Sequence, residues 1–275
     1  MPHWEIDGLA FEVDRYGQGP PVVLLHGFTG SRASWRSLVR GIEEEFTTLS
    51  IDLVGHGRSG SPASLDRYHM RRAVDDLAEL IRAMGFERAA WLGYSLGGRT
   101  ALQVAVHRPD VVSALILEGA SPGLPTEEER QSRVAADERL ARMIEEDGLE
   151  PFVDYWGSIP LWESQRTNLS ESQRESLREQ RLAQRGVGLA NSLRGMGTGA
   201  QEWLGDRLEG IRVPVLLTAG SLDTKYAQLA HEMGEAIPQA AVCLIEDAGH
   251  AAHLERPEAF ERVVREFLRS VREQI

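Results

Sequence analysis

The stretch Gly93-Tyr94-Ser95-Leu96-Gly97-Gly98 decides the fold. The apolar run Ala89-Ala90-Trp91-Leu92 precedes it, and a helical run over 99–107 follows. Glycines two before and two after the serine mark a sharp strand-to-helix turn with no room for a Cβ. Such a turn lifts the Ser95 hydroxyl out of a sheet and over the start of a helix. The first backbone N–H groups of that helix have no acceptor within it, so they can meet developing negative charge.

Outward from this turn, the all-apolar run at 22–25 reads as a central strand covered on both faces, and 47–51, 111–117, 213–219 and 241–245 read as further strands. Amphipathic helices separate them. At 68–84, Val74, Leu77, Leu80, Ile81 and Met84 form one apolar stripe, and Gly85 ends the helix. Residues 3–6 and 9–14 read as two further strands joined at Asp7-Gly8. This alternation predicts an α/β fold with a mostly parallel central sheet and helices on both faces. Between 126 and about 208 no strand is convincing. The expected organisation is a core of 1–122 and 209–275 with a helical lid, 123–208, inserted over the carboxyl ends of the strands. Gly195, Gly197 and Gly199 read as a mobile or tightly turned joint in it.

Ser95, Asp223 and His250 each follow an expected strand end, in the order nucleophile, acid, histidine. That is the order of the α/β-hydrolase triad. His250 would take the serine proton, and Asp223 would fix its tautomer and stabilise the imidazolium. The competing reading of Asp223 is a plain helix N-cap. His253 is the weaker alternative base. The oxyanion donors would be the backbone N–H groups of Phe28, after the 22–25 strand, and Leu96. His26 reads as a loop-packing residue. Asp52, His56 and Arg58 read as a hydrogen-bonded rim loop rather than a metal site, because no third ligand sits at a sensible spacing.

Arg99 lies one helical turn after Ser95, placed either for a surface ion pair or for a substrate carboxylate. Tyr94 is placed to pack or to hydrogen-bond substrate. Trp156, Trp162 and Trp203 are candidates to line a pocket. Of the insertion's arginines (Arg130, Arg133, Arg166, Arg174, Arg178, Arg181 and Arg185), most read as solvated helix faces, and one or two turned inward would make an anion site.

The 275 residues suffice for one large core with an insertion, and the net charge of -12 argues against nucleic acid as partner. Lys225 is the one lysine, so positive charge is almost all guanidinium. Cys243 is the one cysteine, which excludes an internal disulfide. Residues 1–7 lack the pattern of a signal peptide, and no window is long and apolar enough to span a bilayer. A cytoplasmic monomer or weak homo-oligomer without membrane insertion is expected. Physics alone stops at a lidded serine-triad enzyme acting beside a carbonyl group.

Over nearly its full length the chain resembles the 2-succinyl-6-hydroxy-2,4-cyclohexadiene-1-carboxylate synthases, α/β-hydrolase-fold enzymes of menaquinone biosynthesis. The telling motifs are Gly93-Tyr94-Ser95-Leu96-Gly97-Gly98-Arg99, Ser121-Pro122-Gly123-Leu124 and Gly188-Leu189-Ala190-Asn191-Ser192-Leu193-Arg194-Gly195-Met196-Gly197-Thr198-Gly199. The resemblance implies a lyase: 2,5-elimination of pyruvate from 2-succinyl-5-enolpyruvyl-6-hydroxy-3-cyclohexene-1-carboxylate, with the triad serine as general base. It implies a small polycarboxylate substrate and neither metal nor organic cofactor. It also carries substrate-binding roles onto Tyr94, Arg99, Arg133, Trp156 and Arg181. Pro125 departs from the glutamine that relatives can carry there, which puts one substrate contact in doubt. The alternative is a serine-triad hydrolase of a carboxylic ester or a carbon–carbon bond, which shares the triad.

Overall fold

The computed structural model describes residues 4–275; the expected strand's first residue, His3, lies outside them. Nine strands are β1 (Trp4–Ile6), β2 (Leu9–Phe11), β3 (Val13–Tyr16), β4 (Pro21–Leu25), β5 (Thr47–Ile51), β6 (Ala89–Tyr94), β7 (Val112–Glu118), β8 (Val215–Gly220) and β9 (Ala240–Ile245) among the described residues. The run at 9–14 is broken in two, and its second half, β3, joins the main sheet. That sheet has the order β3-β5-β4-β6-β7-β8-β9, parallel except for β3.

Every residue of β4, β5, β6, β7 and β8 is buried. The physical reason is cover on both faces. On one face, α2 (Met70–Ala83) and α3 (Leu96–His107), following α1 (Arg36–Ile42), pack Val74, Leu77, Ile81 and Leu102 onto Val23, Trp91 and Leu115. On the other face, α1 and the closing helix 257–270 pack Leu38, Ile42, Phe260 and Val264 onto Leu24, Leu92 and Ile116. No helix among the described residues is long and apolar enough to cross a membrane.

From β4 the chain steps to β5 on one side, then to β6 on the other. The switch in direction therefore lies between β4 and β6. Ligands in open α/β sheets bind in the crevice beyond such a switch point. The loop carrying Phe28 and the turn carrying Ser95 leave these two strands.

Between β7 and β8 come α4 (Glu127–Glu146), α5 (Leu149–Ser158), α6 (Gln165–Asn168), α7 (Glu171–Leu182) and α8 (Gly186–Met196). Reciprocal capping boxes start α4 (Thr126 with Glu129) and α7 (Ser170 with Gln173). Phe152, Ile144, Leu189 and Leu193 form a small core of their own, onto which Phe28 and Trp156 pack. The chain then adds α9 (Thr224–Ala236), α10 (Ala252–Glu255) and α11 (Pro257–Ser270).

Gly195 and its neighbours differ from the expected joint. Gly195 lies inside α8, where a Cβ would strike the backbone of Tyr68, and Gly199 abuts the backbone of Arg130. None of Gly195, Gly197 and Gly199 has positive φ. These glycines permit close approach rather than a turn.

Candidate active site

Ser95 stands at φ 51° and ψ -108°, backbone space that a residue with a side chain occupies at a cost. The neighbours hold it there. Ser95 N–H donates to the Glu118 carbonyl at 2.8 Å, and a Cβ on Gly97 would strike the Leu25 carbonyl. The turn thus closes β6, β4 and α3 against one another.

The structure brings Ser95, His250 and Asp223 together from three loops. His250 Nε2 lies 3.0 Å from Ser95 Oγ, and His250 Nδ1 lies 2.7 Å from Asp223 Oδ2. Asp223 is also the N-cap of α9, its Oδ1 accepting the Tyr226 N–H at 3.3 Å, so the cap and the contact to His250 use different oxygens. His253 is turned away from the serine. Its Nδ1 lies 2.9 Å from Glu118 Oε1, in a pair buried behind Tyr94.

Leu96 is the first residue of α3, so its N–H has no acceptor within the helix. Phe28 follows Gly27 in the loop beyond β4. Gln184 pins this loop to the helical insertion: its amide donates to the Gly30 carbonyl at 3.0 Å and accepts the Gly57 N–H at 2.9 Å. The rim loop is held as expected, with Asp52 accepting the Arg58 N–H and pairing with the Arg32 guanidinium. His56 donates from Nδ1 to the Val54 carbonyl, and burial drives its pKa down to about 3. Among the described residues no group of three metal-ligating side chains gathers.

A cavity of about 300 Å³ opens over Ser95 and His250, lined by Phe28, Tyr94, Arg99, Arg133, Trp156, Trp162, Ser192 and Tyr226 among others. A larger groove, about 860 Å³, runs past Arg32, Arg36, Arg40 and Gln180 and touches no triad residue. Trp203 lies outside the cavity lining and packs onto Gly205.

Arg99 is buried at the cavity wall. Its Nη1 donates to the Met196 carbonyl at 2.9 Å and to the Gln201 side chain, and no carboxylate pairs with it among the described residues. Burial lowers its pKa to about 10, so it remains a cation at neutral pH. Arg133 pairs through Nε with buried Asp137 at 2.8 Å, and burial raises the Asp137 pKa. Arg181 stacks on Trp162 at 5.3 Å in a small annex beside Tyr94, where burial lowers its pKa. The other arginines singled out between β7 and β8 make contacts away from the cavity: Arg130 with Glu127, Arg166 with Glu163, Arg178 with Glu150 and Asp154, Arg174 with the Arg166 carbonyl and Arg185 with the Ser59 carbonyl.

Five buried polar atoms of the cavity lining have no partner among the described residues: Tyr94 Oη, Trp156 Nε1, Trp162 Nε1, Ser192 Oγ and Asp137 Oδ2. Unpartnered buried donors are costly unless a ligand accepts from them. Gln201, Asp137, Ser192 and Tyr226 were not singled out by the sequence reading. The signal available for Ser192 was its place in the Gly188–Gly199 motif, and for Tyr226 its spacing of three from Asp223.

A family model for the alpha/beta hydrolase fold matches residues 20–257. The putative 2-succinyl-6-hydroxy-2,4-cyclohexadiene-1-carboxylate synthase of Bacillus subtilis (strain 168) is 42% identical over 267 residues, covering 96% of this chain and 97% of that protein. The solved structure of MenH from S. aureus superposes with a TM-score of 0.90 at 30% identity, covering 98% of this chain and 99% of that one. A malate-bound thermophilic esterase from Thermogutta terrifontis superposes at 0.87 with 27% identity, covering 98% and 97%.

Proposed function

The chain belongs to the 2-succinyl-6-hydroxy-2,4-cyclohexadiene-1-carboxylate synthases of the α/β-hydrolase fold, and from that premise we propose how its own residues perform the pyruvate elimination. Ser95 Oγ takes the proton α to the succinyl carbonyl while its own proton passes to His250 Nε2. Asp223 accepts the His250 Nδ1–H and stabilises the resulting imidazolium. The carbonyl oxygen becomes an enolate held by the Phe28 and Leu96 N–H groups. Its electron pair then returns through the ring alkene and breaks the bond to the enolpyruvyl oxygen. The imidazolium proton neutralises the leaving enolpyruvate, which tautomerises to pyruvate. Protons and electrons balance, and water takes no part.

The observation that carries this reading is Arg99, a buried guanidinium at the wall of a serine-triad cavity that forms no ion pair among the described residues, Asp137 acting on it only from beyond ion-pair distance while paired with Arg133. An ester with apolar arms would leave that cation unpaired. A polycarboxylate supplies the missing partner, and Arg133, Arg181, Tyr94 and Trp156 are the further groups that would receive it. The insertion at 123–208 acts as the lid that excludes water from the enolate. The same triad can support ester hydrolysis, so the test is direct. The succinyl-enolpyruvyl substrate, made in situ, is followed by diene absorbance and by pyruvate. Stoichiometric diene and pyruvate are expected from wild type, with loss of turnover in Ser95→Ala. No rate above spontaneous decay would sink the reading in favour of the hydrolase.

A further inference from the structure

We propose that the Tyr226 hydroxyl contacts substrate, sharing one of its carboxylates with Arg99; this rests on the synthase reading above. Tyr226 occupies the first turn of α9, and its N–H is tied to Asp223 Oδ1 at 3.3 Å. Its ring packs on the His250 imidazole with centroids 4.5 Å apart and planes at 50°. Those two contacts fix where the phenol stands. It lines the same cavity as Arg99 and Arg133, and no acceptor for its O–H is found among the described residues.

Arg99 leaves donors unused in the same place. Its Nη1 serves Met196 and Gln201, whereas Nε and Nη2 make no protein hydrogen bond among the described residues. Burial raises the pKa of the phenol, outweighing the opposite pull of the Arg99 and Arg133 charges, so it keeps its proton and donates throughout the neutral range. The phenol O–H beside the Arg99 Nε and Nη2 donors, which have no protein acceptor among the described residues, is complementary to a carboxylate. A neutral arm in this position would leave several donors unsatisfied. The ring has a second task, because it covers one face of His250. Ring and hydroxyl can be separated by substitution.

Tyr226→Phe keeps the ring and removes only the hydroxyl. We expect kcat/KM to fall about tenfold, the loss of one hydrogen bond to a charged group, with the change in KM, kcat within about twofold and an unchanged melting temperature. Arg99→Met and Tyr226→Phe combined should then lose less than the product of the two single losses, because they share one carboxylate. A Tyr226→Phe enzyme within about twofold of wild type in kcat/KM overturns the proposal. So does a loss confined to kcat, which would make Tyr226 a positioning residue for His250. Wild type is assayed alongside. If it turns over the substrate and Tyr226→Phe is unaffected, this inference alone fails; if wild type is silent, the synthase reading fails and this falls with it.

Discussion

His253 and Glu118 form a buried pair, Nδ1 to Oε1 at 2.9 Å, on the far side of Tyr94 from the triad. Tyr94 packs on both histidines, with centroids 4.6 Å from His253 and 5.3 Å from His250. Two histidine–carboxylate pairs thus stand a ring apart, and only the His250 pair reaches Ser95. Glu118 also accepts the His253 backbone N–H at 3.0 Å, which ties α10 to the end of β7.

The two pairs should fail differently. On the proposed mechanism His250→Gln should cost turnover about 10³-fold or more, because the serine would lose its base, while leaving the fold intact. Glu118→Ala should cost about 3 kcal/mol of stability, because a buried partner is removed and two donors are left unsatisfied. Its remaining folded enzyme should turn over within a few-fold of wild type. Urea melts and steady-state rates on both variants check this. A folded Glu118→Ala enzyme as dead as His250→Gln would give the second pair a part in the chemistry.

The histidines also set an acid limit. His56 is held at a pKa of about 3, against an ordinary value of 6.5, chiefly by burial, and neighbouring His26 is lowered for the same reason. A folded pKa below the unfolded one means that the unfolded chain binds the proton first. Stability is therefore full above about pH 6.5 and falls as pH drops towards 3, by about 1.4 kcal/mol per unit for one such group. His56→Asn can still donate to the Val54 carbonyl but does not titrate. Between pH 7 and 5 its urea midpoint should fall less than that of wild type. Equal slopes would show that His56 is not held neutral.

How much of this was legible in sequence follows from where the information lies. β4, β6, β7 and β8 are buried on both faces, so they are near-continuous apolar runs and could be read directly. Ser95, Asp223 and His250 each follow a strand end, so chain order brought them to one edge. The inward arginines were not legible as such. Arg130 and Arg133 lie one turn apart on α4 and each pairs within that helix, Arg130 with Glu127 and Arg133 with Asp137; only tertiary packing decides that Asp137 is buried at the cavity while Glu127 stays exposed. Glu118 and His253 lie 135 residues apart with no shared motif. Gly195 has the same composition signal as a turn glycine, and only its contact with Tyr68 shows a packing role.

The seat of α8 should be intolerant of a single methyl group. A Cβ on Gly188 would strike the Gly55 carbonyl and the Ser61 hydroxyl, so Gly188→Ala must push the helix away from the core. Overpacking of this kind costs about 1–3 kcal/mol. Because α8 carries Ser192, Leu193 and Met196 to the cavity, KM should rise as well. Gly210 has nothing within 4 Å of its Cβ position, so Gly210→Ala is the control and should stay within about 0.5 kcal/mol. Thermal melts and KM values on the pair decide the matter; equal behaviour would mean that α8 is not seated this tightly.

Arg99 tests the proposed anion site most sharply, because charge and shape can be varied separately. Its guanidinium spans the Met196 carbonyl, the Gln201 side chain and the open cavity, which needs donors pointing in several directions. Arg99→Met removes the charge, and kcat/KM should fall about 30- to 100-fold, as for a buried charged hydrogen bond. The fold should lose no more than about 1–2 kcal/mol, since the desolvation cost recovered by removing a buried cation offsets part of the cost of leaving the Met196 carbonyl and the Gln201 side chain without this donor. Arg99→Lys keeps the charge but not the fork, and one ammonium cannot serve both protein acceptors and a carboxylate in that geometry. It should therefore resemble Arg99→Met more than wild type. Near-wild-type kinetics in Arg99→Lys would show that the site needs only a positive charge, and near-wild-type kinetics in Arg99→Met would remove Arg99 from substrate binding.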